Sequence, residues 1–148
     1  MKRKIKKIDA ALSQVDTAIE LWFRGWDSIA IHTLSSASHQ IIHDIVEKRN
    51  GPDLLFNSLV FKEESRKEVI NAFKAPQNFF KHADRDPDPE GEIEFGEELS
   101  EGFIMMSLKG LEWLQIPHNF QRSAFIQWFC INRPEMMTEK ENKYTVKS

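Results

Sequence analysis

The chain has 148 residues, a length typical of one domain and sufficient to bury a hydrophobic core without disulfides or structural metals. Hydrophobic residues make up 41% of it, including eleven Phe and four Trp, which excludes an intrinsically disordered chain. The net charge of −3 is unevenly distributed, because residues 84–101 hold nine acids and one cation while the first seven residues hold five cations. This distribution does not indicate the broad basic face that binds nucleic-acid backbones.

The sequence also limits where the protein is expected to act. The basic N-terminus is not followed by the apolar region of a secretory signal, and no apolar stretch reaches the roughly 20 residues that a membrane-spanning helix needs. The only cysteine, Cys130, excludes an intramolecular disulfide and a cysteine-based zinc site. We therefore expect a cytoplasmic protein with no membrane partner.

The first third of the chain has the pattern of a helical hairpin. Apolar residues recur every three or four positions from Ile8 to Trp26, which predicts a first helix. Asp27 is a suitable N-cap for a second helix over 28–48, and the Asn-Gly-Pro sequence at 50–52 is expected to end it. Because the joint between them is short, the two helices are expected to pack antiparallel.

The middle of the chain is expected to be helical up to one loop. Helical segments are predicted over 53–61, 62–74 and 77–83, with Pro76 either as the first residue of a new turn or as a kink. The Asp- and Pro-rich run over 84–92 predicts a loop, because its prolines and glycine cannot continue a helix. A short extended segment is expected over 92–95.

Two apolar helices are predicted in the last third, over 97–116 and 119–133, each ended by the proline that follows it. The sequence therefore predicts an all-α fold, a single bundle of about five to six helices within residues 1–137, with one acidic Asp/Pro loop. A flexible charged tail is expected over 138–148.

Three histidines and a serine share one face of the second helix. The spacings between His32, Ser36, His39 and His43 are four, three and four residues. His39 and His43 are one turn apart, which suits two imidazole ligands of a single metal ion that would also need acids from another helix. The metalloprotease motif HExxH is absent, since Gln40 stands where its glutamate would be. The alternative is that these histidines form hydrogen bonds at a helix interface.

Other motifs for bound ions and cofactors are absent or incomplete. Asp84, Asp86 and Asp88 resemble the start of a calcium loop, but Pro89 and Phe95 replace its glycine and its bidentate glutamate. Neither a phosphate-binding loop, a dinucleotide fingerprint nor a serine-hydrolase elbow is present. We expect no cofactor.

A second group of polar residues lies in the segment NFFKHAD, residues 78–84. Asn78 and His82 are four residues apart and share a helix face with Arg85, while Phe79 and Phe80 can turn toward the core. An imidazole near a cation can act as a general acid or base at neutral pH. The alternative is a structural histidine at the end of a helix.

The stretches DSIAIHTLSSASHQIIHDI and NFFKHADRDPD resemble signature stretches of a family of small uncharacterised bacterial all-helical proteins, and the resemblance covers most of the chain. The helix order and the late polar-x-x-x-His motif are also similar to HEPN domains (higher eukaryotes and prokaryotes nucleotide-binding). The resemblance to HEPN ribonucleases places Asn78 and His82 at the polar and histidine positions of the motif. Gln77 occupies the arginine position, and a neutral side chain cannot stabilise a charged phosphorane as arginine does.

Three functions remain open from the sequence. The first is a catalytically degenerate HEPN-like module that forms a homodimer and acts through protein or RNA contacts, because the Phe and Trp residues of the helices predicted over 97–116 and 119–133 exceed what a small bundle hides. The second is a metal-independent ribonuclease that uses His82 and Asn78, with Lys74, Lys81 or Arg85 as the cation. The third is a metal-binding bundle or hydrolase that uses His39 and His43. Sequence spacing does not decide whether His32 and His82 lie close together in the folded chain.

Overall fold

Five helices carry the fold of the described part of the chain, which in this computed structural model comprises residues 1–54, 68, 73, 75–84 and 88–136. The predicted all-α class is confirmed. The helices are α1 (Lys7–Phe23), α2 (Ser28–Lys48), α3 (Glu98–Trp113), α4 (Phe120–Asn132) and a 3-10 turn (Pro134–Met136), with one further helical turn over 75–79.

The predicted hairpin of α1 and α2 is confirmed, and α2 has the bounds that the sequence indicates. The side chain of Asp27 accepts a hydrogen bond from the backbone N–H of Ala30 at 2.8 Å, as an N-cap does. Gly25 has φ of 65°, a left-handed conformation that glycine adopts without strain, and the chain reverses there. The end of α1 and the start of α2 therefore lie at the same end of the bundle.

Helix α3 is the centre of the bundle. Ten of its eleven residues from 101 to 111 are buried, all except Lys109. It runs parallel to α2, because Ser100 near its start contacts His32 and Gly110 near its end contacts Ile42. A Cβ on Gly110 would lie 2.4 Å from Ile42 Cγ2, so this glycine permits the close approach of the two helices.

Helix α4 runs antiparallel to α3 and covers α1. Its Arg122 donates to both carboxylate oxygens of Asp16 in α1, at 2.7 and 2.8 Å, and also to a backbone carbonyl. On the same side of the bundle, the ring centroid of Trp22 lies 5.0 Å from that of Phe125 and 4.3 Å from that of Trp128. Both contacts fix the direction of α4 relative to α1.

Some predicted boundaries were wrong. The helix expected over 97–116 ends at Trp113, because Gln115 adopts φ of 60° and reverses the chain before Pro117. The extended segment expected over 92–95 is irregular in the structure. The helix expected over 77–83 is helical over 75–79 and continues as a turn.

Other expectations concern residues that are not described. The segment over 55–67, most of the predicted helix over 62–74, Arg85 and the tail over 138–148 lie outside the described residues. Among the helices that are described, none is both long enough and apolar enough to cross a membrane.

Candidate functional site

The two stretches that carry the sequence resemblance meet at His32. This residue of α2 is fully buried, and its Nδ1 atom lies 3.1 Å from the hydroxyl oxygen of Ser100 in α3. Its ring is enclosed by Phe80, Phe95 and Phe103, with centroid distances of 5.6, 4.9 and 5.3 Å. Phe80 belongs to the NFFKHAD segment, so helix α2, helix α3 and that segment share one aromatic enclosure.

The enclosure keeps His32 neutral. Burial and, to a smaller extent, the positive charge of Lys81 together lower the pKa of His32 from its ordinary value of 6.5 to about 4. Within the described part of the chain, its Nε2 atom has no hydrogen-bond partner. A weakly basic imidazole with one ring nitrogen used by Ser100 is suited to packing and not to proton transfer at pH 7.

His39 is buried in the same way, one turn before His43. The pKa of His39 is lowered to about 3, chiefly by burial and also by the neighbouring His43, while Asp53 has a smaller raising effect. Its Nε2 atom also has no partner among the described residues. The centroids of the two imidazoles are 5.8 Å apart, and His43 Nε2 lies 3.3 Å from Asp53 Oδ1.

Beside the metal site predicted from His39 and His43 lies a second, more exposed group of potential metal ligands. His43, Asp44 and Glu47 offer one ligand atom each within 4.8 Å of one another on the outer face of α2. His39 is absent from this group of potential ligands, which is drawn from the described residues. The structure thus brings the two rings close together but sets the compact ligand group around His43 alone.

Two residues of the predicted ribonuclease motif, Asn78 and His82, are described, and both have side chains in contact with solvent. His82 is partly exposed, with its Nδ1 atom 3.8 Å from Asp84 Oδ1, and its backbone N–H donates to the carbonyl of exposed Asn78 at 3.2 Å. Among the described ring contacts of His32, the partner from this segment is Phe80 rather than His82. The assignments of His82, Asn78 and Arg85 remain predictions.

Sequence reasoning missed a pocket at the end of the bundle where α1 turns into α2 and α3 begins. Its volume is about 140 Å³, and we call it the acidic pocket. It is lined by Trp22, Gly25, Trp26, Ser28, Ile31, Glu97, Ser100 and Glu101. Ser100 connects this pocket to the enclosure around His32, because it lines the first and contacts the second.

Glu101, one of the residues that line the acidic pocket, forms an ion pair with Arg133. Glu101 is 7% exposed and accepts from Arg133 Nε at 2.8 Å and from Arg133 Nη2 at 3.3 Å. This contact raises the pKa of Arg133 above its ordinary value. The guanidinium carbon of Arg133 lies 5.4 Å from the centroid of Trp128, a cation–π distance. The signal in the sequence was an acid, Glu101, within an otherwise apolar helix.

The charge of the acidic pocket restricts the chemistry that it can support. Glu97 and Glu101 contribute two negative charges, and Arg133 offsets one of them, which leaves a formal charge of about −1. Ser100 and His32 resemble a nucleophile and a base, but neighbouring carboxylates would oppose an oxyanion or a phosphate in the transition state. The pocket is suited to a cation.

No family model, curated protein or solved structure matches this chain. The residues described above are therefore the basis for assigning a function.

Proposed function

We propose that this chain is a non-catalytic, HEPN-like helical module that binds another protein chain, and that its partner is a second copy of itself. The observation that carries the proposal is a set of large apolar side chains in solvent. Phe23, Trp26, Ile29 and Phe120 are 48%, 63%, 50% and 88% exposed, and we call them the aromatic surface. Phe23 and Phe120 line one cleft. Trp26 lies in the turn that follows α1, and Ile29 lies in the first turn of α2.

This surface agrees only in part with the expectation of exposed apolar residues on the helices predicted over 97–116 and 119–133. The apolar residues of the first of these helices are mostly buried in the centre of the bundle, although Trp113 at its end is exposed. The second carries exposed Phe120 and Ile131, and further exposed apolar residues lie at the end of α1, in the turn that follows it and in the first turn of α2. Aromatic side chains concentrated in such a surface are typical of protein interfaces.

The charge distribution favours a second copy as the partner. The five cations of the first seven residues precede or begin α1, and six acids between residues 88 and 98 lead into α3. Because α1 is antiparallel to α2 and α2 is parallel to α3, these two groups lie at opposite ends of the bundle. Two copies therefore present complementary charges to each other, which favours association.

The proposal predicts self-association that depends on the aromatic surface. In sedimentation equilibrium up to high micromolar concentration, we expect wild type to be dimeric or larger and Phe23→Glu/Phe120→Glu to be monomeric. Gln40→Glu is the matched control, since it adds a negative charge at an exposed position of α2 without removing an apolar side chain. A monomeric wild type at these concentrations would contradict the proposal. Binding of single-stranded RNA by the monomer would instead support an RNA partner.

A metal-independent ribonuclease is the alternative function. It is favoured by one observation, the partly exposed His82 one helical turn beyond the exposed Asn78 and beside Asp84. This hypothesis predicts cleavage of single-stranded RNA in EDTA that is lost in His82→Ala and retained in His118→Ala, which removes another histidine outside this segment. Cleavage that survives His82→Ala would eliminate it.

A metal-binding function of His39 and His43 is tested separately. The compact ligand group of His43, Asp44 and Glu47 favours a metal ion at His43, and it does not include His39. Protein purified without a histidine tag would be incubated with zinc, iron and manganese, desalted and analysed for metal. This hypothesis predicts a stoichiometric metal that His43→Ala removes, and an empty wild type would count against it.

A further inference from the structure

Glu101, which lines the acidic pocket, already binds a cation of its own chain. It accepts hydrogen bonds from the guanidinium of Arg133, which also lies over the ring of Trp128. The other residues that line the pocket include Trp22, Trp26 and Glu97, whose carboxylate is exposed. A Lys or Arg side chain would find both cation–π and ionic contacts there.

The chain itself contains a segment with matching chemistry. Residues 1–6, which we call the N-terminal arm, hold four cations together with two apolar side chains in solvent, Met1 at 124% and Ile5 at 56% exposure. Cations interleaved with apolar side chains complement a pocket of carboxylates and tryptophans. The arm is irregular, and an irregular segment can be ordered by a partner.

The arm lies at the opposite end of α1 from the pocket of its own chain. Helix α1 has 17 residues and separates the two by about 25 Å at 1.5 Å per residue. The arm lies along the first turns of α1, where Arg3, Lys4 and Ile5 share a groove with Asp9 and Ser13.

We infer that the acidic pocket receives a Lys or Arg side chain from the N-terminal arm of a second copy of this chain. This inference rests on the proposed self-association and names the segment that enters the partner. Each junction uses the arm of one copy and the pocket of the other, so the contact is heterologous. Two copies either exchange arms reciprocally or continue into longer assemblies, and the contact weakens as salt screens the charges.

The test uses two variants that disable opposite halves of one junction. The arm variant is Arg3→Glu/Lys4→Glu, and the pocket variant is Glu97→Lys, which leaves the aromatic surface unchanged; all three residues are exposed and outside the core. We expect each variant alone to be monomeric in sedimentation equilibrium. Mixed in equal amounts, they should form a 1:1 dimer, because one intact arm and one intact pocket remain. Lys48→Glu/Arg49→Glu, at two exposed positions, is the matched control for the charge change of the arm variant and should associate as wild type does.

A direct binding measurement accompanies the mixing experiment. A synthetic peptide of residues 1–8 is titrated into the arm variant while tryptophan fluorescence is recorded. We expect saturable binding of the peptide at 50 mM salt. The affinity should fall at least fivefold at 500 mM salt, and at least tenfold when Glu97→Lys is added to the arm variant. A peptide with its Lys and Arg residues changed to Gln should not bind.

The outcomes separate this inference from the proposed function. If the arm variant associates as wild type does while Phe23→Glu/Phe120→Glu is monomeric, self-association stands and the role of the arm is refuted. Failure of the peptide to bind, with wild type oligomeric, refutes the arm in the same way. A wild type that is monomeric at high micromolar concentration refutes both. Restored dimerisation in the mixture supports both.

Discussion

Two neutral histidines in the core should make the protein sensitive to mild acid. The pKa of His32 is lowered to about 4 and that of His39 to about 3, chiefly by burial. Both histidines favour the folded state in their uncharged form, so their full contribution is present above pH 6.5 and is lost as the pH falls toward these values. Between pH 7 and pH 5 the unfolded chain takes up nearly one proton at each, which lowers the free energy of unfolding by about 2 kcal/mol per histidine.

This expectation is measured by urea unfolding, followed by tryptophan fluorescence, at pH 7 and pH 5. Wild type should lose about 4 kcal/mol through the two histidines, and His39→Leu should lose about 2 kcal/mol less than wild type between the same two pH values. Met105→Leu is the control, because it changes a fully buried side chain without removing a titratable group. If His39→Leu and wild type lose the same stability, the neutral state of His39 is refuted.

Three substitutions test the packing that positions the site, each by urea unfolding at pH 7. Asp16→Asn should cost about 2 kcal/mol, because it weakens two charge-assisted bonds from Arg122; a change near zero would show that the pair does not stabilise the fold. Gly110→Ala gains about 1 kcal/mol of helix propensity, but overpacking against buried Ile42 should outweigh this gain and leave a net loss, whereas a more stable variant would contradict the close helix contact. Asp27→Ala should cost about 1 kcal/mol through loss of the N-cap, and an unchanged stability would contradict its role.

The part of the fold that sequence predicted best is the part with local signals at both ends. Helix α2 begins after a capping aspartate and ends before Asn50, which has φ of 59°, and Gly51, so its bounds over 28–48 were confirmed. The end of α3 was placed too late, since the turn at Gln115 uses a left-handed conformation without glycine or asparagine to mark it. Tertiary packing imposes that turn, and a local pattern does not reveal it.

The site was harder to predict than the fold because its contacts join distant residues. The face of α2 that carries His32 followed from helical spacing, but its contact with Ser100 crosses 68 positions. The ion pair between Glu101 and Arg133 crosses 32 positions, and without it the glutamate reads only as an interruption of an apolar helix. Periodicity identifies which side of a helix is buried but not which polar group lies opposite.

The electrostatics of this end of the bundle connect the proposals. Cleavage of RNA requires groups that stabilise additional negative charge on a phosphorane, and such groups are cations or N–H donors. The acidic pocket presents Glu97 and Glu101 instead, and the carboxylate of Asp84 lies beside His82. The same carboxylates favour a Lys or Arg side chain, which the N-terminal arm of every other copy can supply. One charge distribution therefore disfavours phosphate chemistry and favours binding between chains.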